Sequence, residues 1–165
     1  MNSEQLNLFR RKVRIIEREF ISQLKDDTTC CGVTLAQCHV LMELGLAGEM
    51  SISQLAETLR LDKSTLSRTV DGMVKPGFLT RDIDSRDRRY MVVKLTEKGK
   101  KLYNQINSAC NEFYQQVFEH ISVDRHDAVI ENIGVFADAF SRTTAETDTG
   151  IAPDPHCAYQ TEGEE

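Results

Sequence analysis

A chain of 165 residues, 40% hydrophobic and 28% charged, is long enough to bury one continuous core and too ordinary in composition for wholesale disorder or a membrane protein. No apolar run approaches the ~18 residues that a spanning helix needs, and Met1 to Leu8 is too polar for a secretory signal, so the expectation is a cytoplasmic protein with no membrane partner. Cysteines at 30, 31, 38, 110 and 157 are an odd number, which argues against a disulfide framework in that compartment.

Leu6, Phe9, Val13, Ile16 and Phe20 recur at steps of three and four and predict an amphipathic helix over about 4–25. Asp26 to Gly32 breaks that pattern. Thr34 with Gln37 is a capping box opening a second helix, which Gly48 closes, with Leu35, Cys38, Leu41, Met42 and Gly45 on one side. Ser51 with Gln54 repeats the signature ahead of Ile52, Leu55, Ala56 and Leu59. Asp62 caps a fourth helix whose inward residues are Leu66, Val70, Met73 and Val74, and Pro76 with Gly77 terminates it.

Phe78 to Asp82 and Tyr90 to Leu95 are extended-type runs separated by a polar stretch, Ile83 to Arg89, of hairpin-loop length. Thr96 then opens a helix reaching about Ile121, along Leu102, Ile106, Cys110, Phe113, Val117 and Ile121. At 1.5 Å per residue it would be ~39 Å long, more than a small globule supports. Val129, Ile133, Phe136 and Phe140 form one more stripe. Apolar helices at both chain ends predict an isologous homodimer interface, the alternative being a monomeric bundle that buries the same stripes internally. Thr143 to Glu165 holds two of the three prolines, six acids and no Lys or Arg, and is expected to lack fixed structure.

The expected fold is mainly α with a small β-hairpin: a winged helix-turn-helix plus a helical dimerisation region. Residues 1–33 are assigned to the N-terminal dimerisation helix and loop, 34–95 to the winged helix-turn-helix, 96–142 to C-terminal dimerisation helices and 143–165 to an acidic tail.

The net charge of −6 conceals an asymmetry: residues 60–101 hold twelve Lys or Arg against six acids, a local balance of +6, and the remainder carries −12. A basic centre suits a protein of which one surface meets phosphate, since the local field governs polyanion binding more than the total does. On the fourth helix, Ser64, Thr65, Arg68 and Asp71 point away from the Leu66 side, and Ser67 lies at the edge. Small hydroxyls let a helix sit deep in a major groove, and Arg68 is suited to the bidentate contact that guanine favours. Lys63 lies nearer a phosphate. In the hairpin loop, Arg86, Arg88 and Arg89 can follow phosphates or enter a narrow minor groove, while Asp84 and Asp87 pair with neighbouring arginines and stiffen the loop.

These residues resemble the MarR family of transcription regulators over about 5–142. The most specific part is Asp84-Ser85-Arg86-Asp87-Arg88-Arg89 followed by Leu95-Thr96-Glu97-Lys98-Gly99, similar to that family's wing and the start of its next helix. Ser53-Gln54-Leu55-Ala56 and Lys63-Ser64-Thr65-Leu66-Ser67-Arg68 are similar to its helix-turn-helix. The resemblance implies a two-fold dimer on a pseudo-palindromic operator in duplex DNA, with Asp87 and Arg89 as the wing's paired Asp-x-Arg. The sequence departs at Pro76, where many members carry a charged residue.

Cys30 and Cys31 directly precede the box at Thr34, and Cys38-His39 follow one turn later; the tail adds His156-Cys157. A thiol beside a helix N-terminus ionises more easily, and soft ions such as Zn(II), Cd(II), Hg(II) or As(III) prefer thiolate-rich sites. Cys30, Cys31, Cys38, His39 and Cys157 are therefore candidates for sensing a soft metal, arsenite or an oxidant, an apolar effector being the other option, whereas Cys110 and Cys38 also suit simple packing. Two competing readings are a winged helix that docks onto proteins and a thiol enzyme using Cys30 or Cys31 with His39 as base; no oxyanion hole or phosphate loop supports the latter.

Overall fold

Side-chain caps start the helices. The computed structural model describes residues 1–83 and 91–147, and within them the side chains of all but 23–31, 146 and 147. Helix α1 (Ser3–Cys31) opens on a capping box of Asn2 and Gln5, and α2 (Leu35–Ala47) on the expected box of Thr34 and Gln37, with N–H to side-chain distances of 3.0 and 3.3 Å. Strand β1 (Glu49–Ser51) runs straight into α3 (Ile52–Leu59), because Ser51 both ends the strand and caps the helix through Gln54. Asp62 caps α4 (Lys63–Val74) by accepting the Thr65 amide at 2.8 Å. Such a cap contributes about 1 kcal/mol, so in α1 to α4 a local side chain marks where the helix begins.

Strands β2 (Leu79–Ile83) and β3 (Met91–Leu95) form the expected hairpin, antiparallel with Leu79 opposite Leu95 and Ile83 opposite Met91. The sheet has a third strand that the sequence did not announce: β1 pairs antiparallel with β3, Glu49 opposite Lys94, giving the order β1-β3-β2. Three residues are too few to display an alternating pattern. Helix α5 (Glu97–Glu119) follows at once.

Between the helices and the sheet lies a core of Val40, Leu41 and Leu44 from α2, Leu55 from α3, Leu66, Val70 and Met73 from α4, Leu79, Val93 and, on α5, Ile106. Truncating any of its leucines to Ala would cost about 2–5 kcal/mol. Leu35, expected on the buried side of α2, is exposed, and Val40 and Leu44 take that place. Helix α2 is apolar on nearly every side, so periodicity could not select its inward face.

Two other expectations are corrected. The segment expected as a loop after residue 25 is helical: α1 continues to Cys31 and stops at Gly32 in the left-handed conformation (φ 66°). The last helix, α6 (His126–Thr147), runs past residue 142 into the segment expected to lack structure, its hydroxyls at Thr143 and Thr144 donating back to the carbonyls of Ala139 and Phe140. Residues 148–165 lie outside the described residues.

The C-terminal unit begins at Phe113. A 3-10 turn (Val123–Arg125) connects α5 to α6, and His126 Nε2–H donates to the carbonyls of Phe118 and Ile121 at 3.1 and 2.9 Å. Both partners can only accept, which fixes the tautomer. The imidazole also meets the Phe118 ring edge-on at 4.9 Å, so one side chain at the start of α6 is tied to the end of α5 and to the turn that follows it. Ile133, Phe136 and Phe140 of α6 are exposed, as are Leu6, Phe9, Ile16 and Phe20 of α1. None of the described helices is long and apolar enough to cross a membrane.

Candidate nucleic-acid interface

The turn between α3 and α4 is three residues, Arg60, Leu61 and Asp62. Arg60 takes a left-handed conformation (φ 51°), and its N–H closes α3 on the Ala56 and Glu57 carbonyls. The reversal places Asp62 at the head of α4, where its Oδ1 accepts the Thr65 N–H and, at 2.6 Å, the Ser64 hydroxyl. The Ser64 hydroxyl, followed by Thr65, holds the Asp62 carboxyl well below the usual carboxylate range. Ser64 thereby commits its proton inward and presents lone pairs outward, an arrangement that suits a donor such as a base amino group better than a phosphate oxygen.

Helix α4 divides as its sequence requires. Leu66, Val70 and Met73 are fully buried, while Lys63, Ser64, Thr65, Arg68 and Asp71 are exposed and Ser67 is half-buried. The outward surface therefore carries two small hydroxyls, one ammonium, one guanidinium and one carboxylate.

Not every cation of the basic centre is available to a polyanion. Arg81 of β2 donates to Asp71 of α4 at 2.7 Å. Lys94 bridges Glu49 at 2.9 Å and Asp82 at 3.7 Å, and the Glu49 hydrogen bond raises its pKa. Lys100 pairs with Glu97 at 2.8 Å, and Lys98 donates to the Pro76 carbonyl at 2.8 Å while lying over the Phe78 ring. Lys63, Arg68 and Lys75 make no ion pair among the described residues and are exposed. Lys75 adds to the expected set; it follows α4 directly, and only the structure shows that it faces solvent. Asp84, Arg86, Asp87, Arg88 and Arg89 lie outside the described residues; on either side of them β2 and β3 pair as far as Ile83 and Met91.

The thiols sort differently from the expectation. Cys30 and Cys31 belong to the last turn of α1 and not to a loop. Cys38 and Cys110 are half-buried and packed against the core, and His39 is exposed. Cys157 lies outside the described residues. Among the described residues no group of three or more His, Cys, Asp or Glu is placed to hold a metal ion.

A family model described as the MarR family matches residues 33–91, from the start of α2 into β3. An uncharacterized HTH-type transcriptional regulator, YfiV of Bacillus subtilis, is 28% identical over 114 residues, covering 69% of this chain and 71% of its own length. A MarR family transcriptional regulator from Silicibacter pomeroyi has a crystal structure that is 29% identical with a TM-score of 0.69, covering 84% of this chain and 93% of that one. Streptococcus pneumoniae FabT, solved in complex with DNA, shares the fold at a TM-score of 0.72 and 15% identity, covering 82% of this chain and 99% of that one.

Proposed function

We propose that this chain, which matches the MarR family model over residues 33–91, is a DNA-binding transcription regulator of that type, and that it binds a pseudo-palindromic operator as a homodimer and represses from it. The observation that carries this reading is the division of α4: a fully buried apolar side anchors it, and the opposite side offers only Lys63, Ser64, Thr65, Arg68 and the paired Asp71. Small hydroxyls and a single unpaired guanidinium are the chemistry of major-groove readout. FabT, of the same fold, was solved with DNA bound, which supports duplex DNA as the partner.

Two copies are needed because one recognition helix covers only a half-site, and successive major grooves lie ~34 Å apart. The exposed apolar residues of α1 and α6 supply the material for an isologous interface. Arg86, Arg88 and Arg89 then serve as the wing's contacts, stiffened by Asp84 and Asp87.

Selection of bound duplexes from a random-sequence pool tests the reading. The wild type enriches a two-fold symmetric site; Arg68→Ala loses about 1–3 kcal/mol on that site and relaxes its preference at one base pair, whereas Lys63→Ala weakens all duplexes alike and lowers the salt slope by about one. Failure to enrich any sequence at low salt would refute it. A winged helix that docks onto proteins would show no steep salt dependence. A thiol enzyme is set aside, because members of this family are regulators and not enzymes.

The effector is proposed to be thiol-reactive, a soft metal, arsenite or an oxidant acting at Cys30, Cys31 and Cys38, with His39 and Cys157 as further candidates. Cys38 supports this by lying between the core and the surface, where a bound ion would disturb the packing of α2. Whatever weakens DNA binding must itself bind less well to the DNA-bound form. Release of the enriched duplex by these agents, lost in the Cys30→Ser/Cys31→Ser variant, is the expected result. An unchanged response would remove those two thiols.

A further inference from the structure

Asp71 stands three residues beyond Arg68 on the outward side of α4, where a lone carboxylate would repel a phosphate backbone. It is not alone: the Arg81 guanidinium meets it at 2.7 Å, with the two side chains 52% and 34% exposed. Arg81 occupies the middle of β2, on the side of the strand shared with Leu79 and Ile83. Leu79 is buried in the core that α4 covers, and Arg81 extends the same row to the rim and reaches the helix through Asp71. The next residue, Asp82, faces the other way and meets Lys94, which also holds Glu49 of β1. The root of the hairpin is therefore tied on one face to α4 and on the other to β1.

We propose that Asp71 and Arg81 are positioning residues: their ion pair fixes the direction in which β2 and β3 leave the core relative to α4, and so sets where the hairpin meets DNA once α4 is seated. Arg81 itself is not a phosphate contact. This rests on the DNA-binding reading above and adds to it a pair whose role is the angle between two reading elements. The sign of one substitution separates it from the simpler account. If Arg81 contacts phosphate and Asp71 only repels, Asp71→Asn tightens binding, because a negative charge has gone and a guanidinium is released. If the pair positions the hairpin, Asp71→Asn weakens binding even though the protein has become more positive.

The test uses the full chain, the duplex that the wild type enriches from a random pool, and a random duplex of equal length. Asp71→Asn, Arg81→Gln and the double variant are each expected to bind the enriched duplex about fivefold more weakly, the double no worse than either single, as for residues acting through one contact. Random-duplex affinity stays within about twofold, the salt slope of Arg81→Gln matches that of the wild type, and Asp71→Glu recovers part of the loss. Thermal melting of all variants confirms that they remain folded, which the exposure of the pair favours. Tighter binding by Asp71→Asn, additive effects in the double variant, or a salt slope lowered by about one in Arg81→Gln would overturn the proposal and leave the DNA-binding reading intact. A wild type that enriches no duplex would sink both.

Discussion

A methyl group placed on Gly99 would overlap the carbonyl oxygen of Phe78. The first turn of α5 lies directly on the turn that ends α4: Thr96 N–H donates to Phe78 O at 3.0 Å, its hydroxyl to Gly77 O at 2.6 Å, and Lys98 to Pro76 O at 2.8 Å. The Leu95-Thr96-Glu97-Lys98-Gly99 run thus joins the end of α4 to the long helix α5 that follows β3. The Pro76 that departs from the family pattern takes part through its carbonyl.

Gly99→Ala should destabilise the fold by about 2 kcal/mol, because the obstacle is backbone and cannot swing aside. Gly45 provides the control. A methyl there would overlap the Tyr103 ring, a side chain that can yield where backbone cannot, and Ala in mid-helix recovers up to about 1 kcal/mol of propensity, so Gly45→Ala should cost less than Gly99→Ala. Urea unfolding of the two variants decides it; equal stabilities would contradict the steric argument.

Asp62 predicts a pH dependence. The Ser64 hydroxyl, then Thr65, stabilises its carboxylate, so its pKa in the folded chain is lower than in the unfolded one. The stability this contributes is present above the unfolded value of about 3.9 and is lost as pH falls toward the folded value. Asp62→Asn keeps a capping oxygen but no charge. The melting-temperature advantage of wild type over Asp62→Asn should therefore narrow between about pH 5 and pH 2, and in a Ser64→Ala background it should be smaller throughout. A constant difference across that range would show that the charge is immaterial.

Arg60 is in the left-handed region without being glycine. Because Asn tolerates that conformation and a β-branched residue does not, Arg60→Val should be less stable than Arg60→Asn by about 1 kcal/mol or more. Comparing two variants that both lack the guanidinium removes its contribution from the difference. Indistinguishable unfolding midpoints would mean that the turn relaxes.

Much of this was legible because it is local. Caps at Thr34, Ser51 and Asp62 need only a side chain three residues from its partner, and the inward set Leu66, Val70 and Met73 follows from one helical period. What escaped depends on residues far apart in the chain or on the lack of a pattern. Arg81 and Asp71 are ten positions apart on different elements, so their charges read as two independent members of a basic region. β1 is recognisable only through its partner β3. The last turns of α1 carry no apolar stripe, yet backbone hydrogen bonds continue the helix to Gly32, which moves Cys30 and Cys31 from a presumed loop to a helix end. Residues 84–90, part of the strongest sequence signal, lie outside the described residues.

The proposed dimer makes the most demanding prediction. Ile133 and Phe140, on one side of α6, are 62% and 60% exposed, with Phe140 against Phe136 at 5.9 Å. Exposed apolar surface of this kind is a mark of an interface. Ile133→Asp places an unpaired charge there and should raise the dimer dissociation constant by at least about a hundredfold, since burying such a charge costs several kcal/mol. The substitution is far in sequence from α4, so a monomer should keep the weak, salt-dependent binding of a single recognition helix and lose the symmetric site, which two linked helices read together. Light scattering together with binding to whole and half sites separates the outcomes. If Ile133→Asp stayed dimeric and bound the whole site unchanged, α6 would have to be dropped from the interface and the apolar stripe of α1 would have to supply it alone.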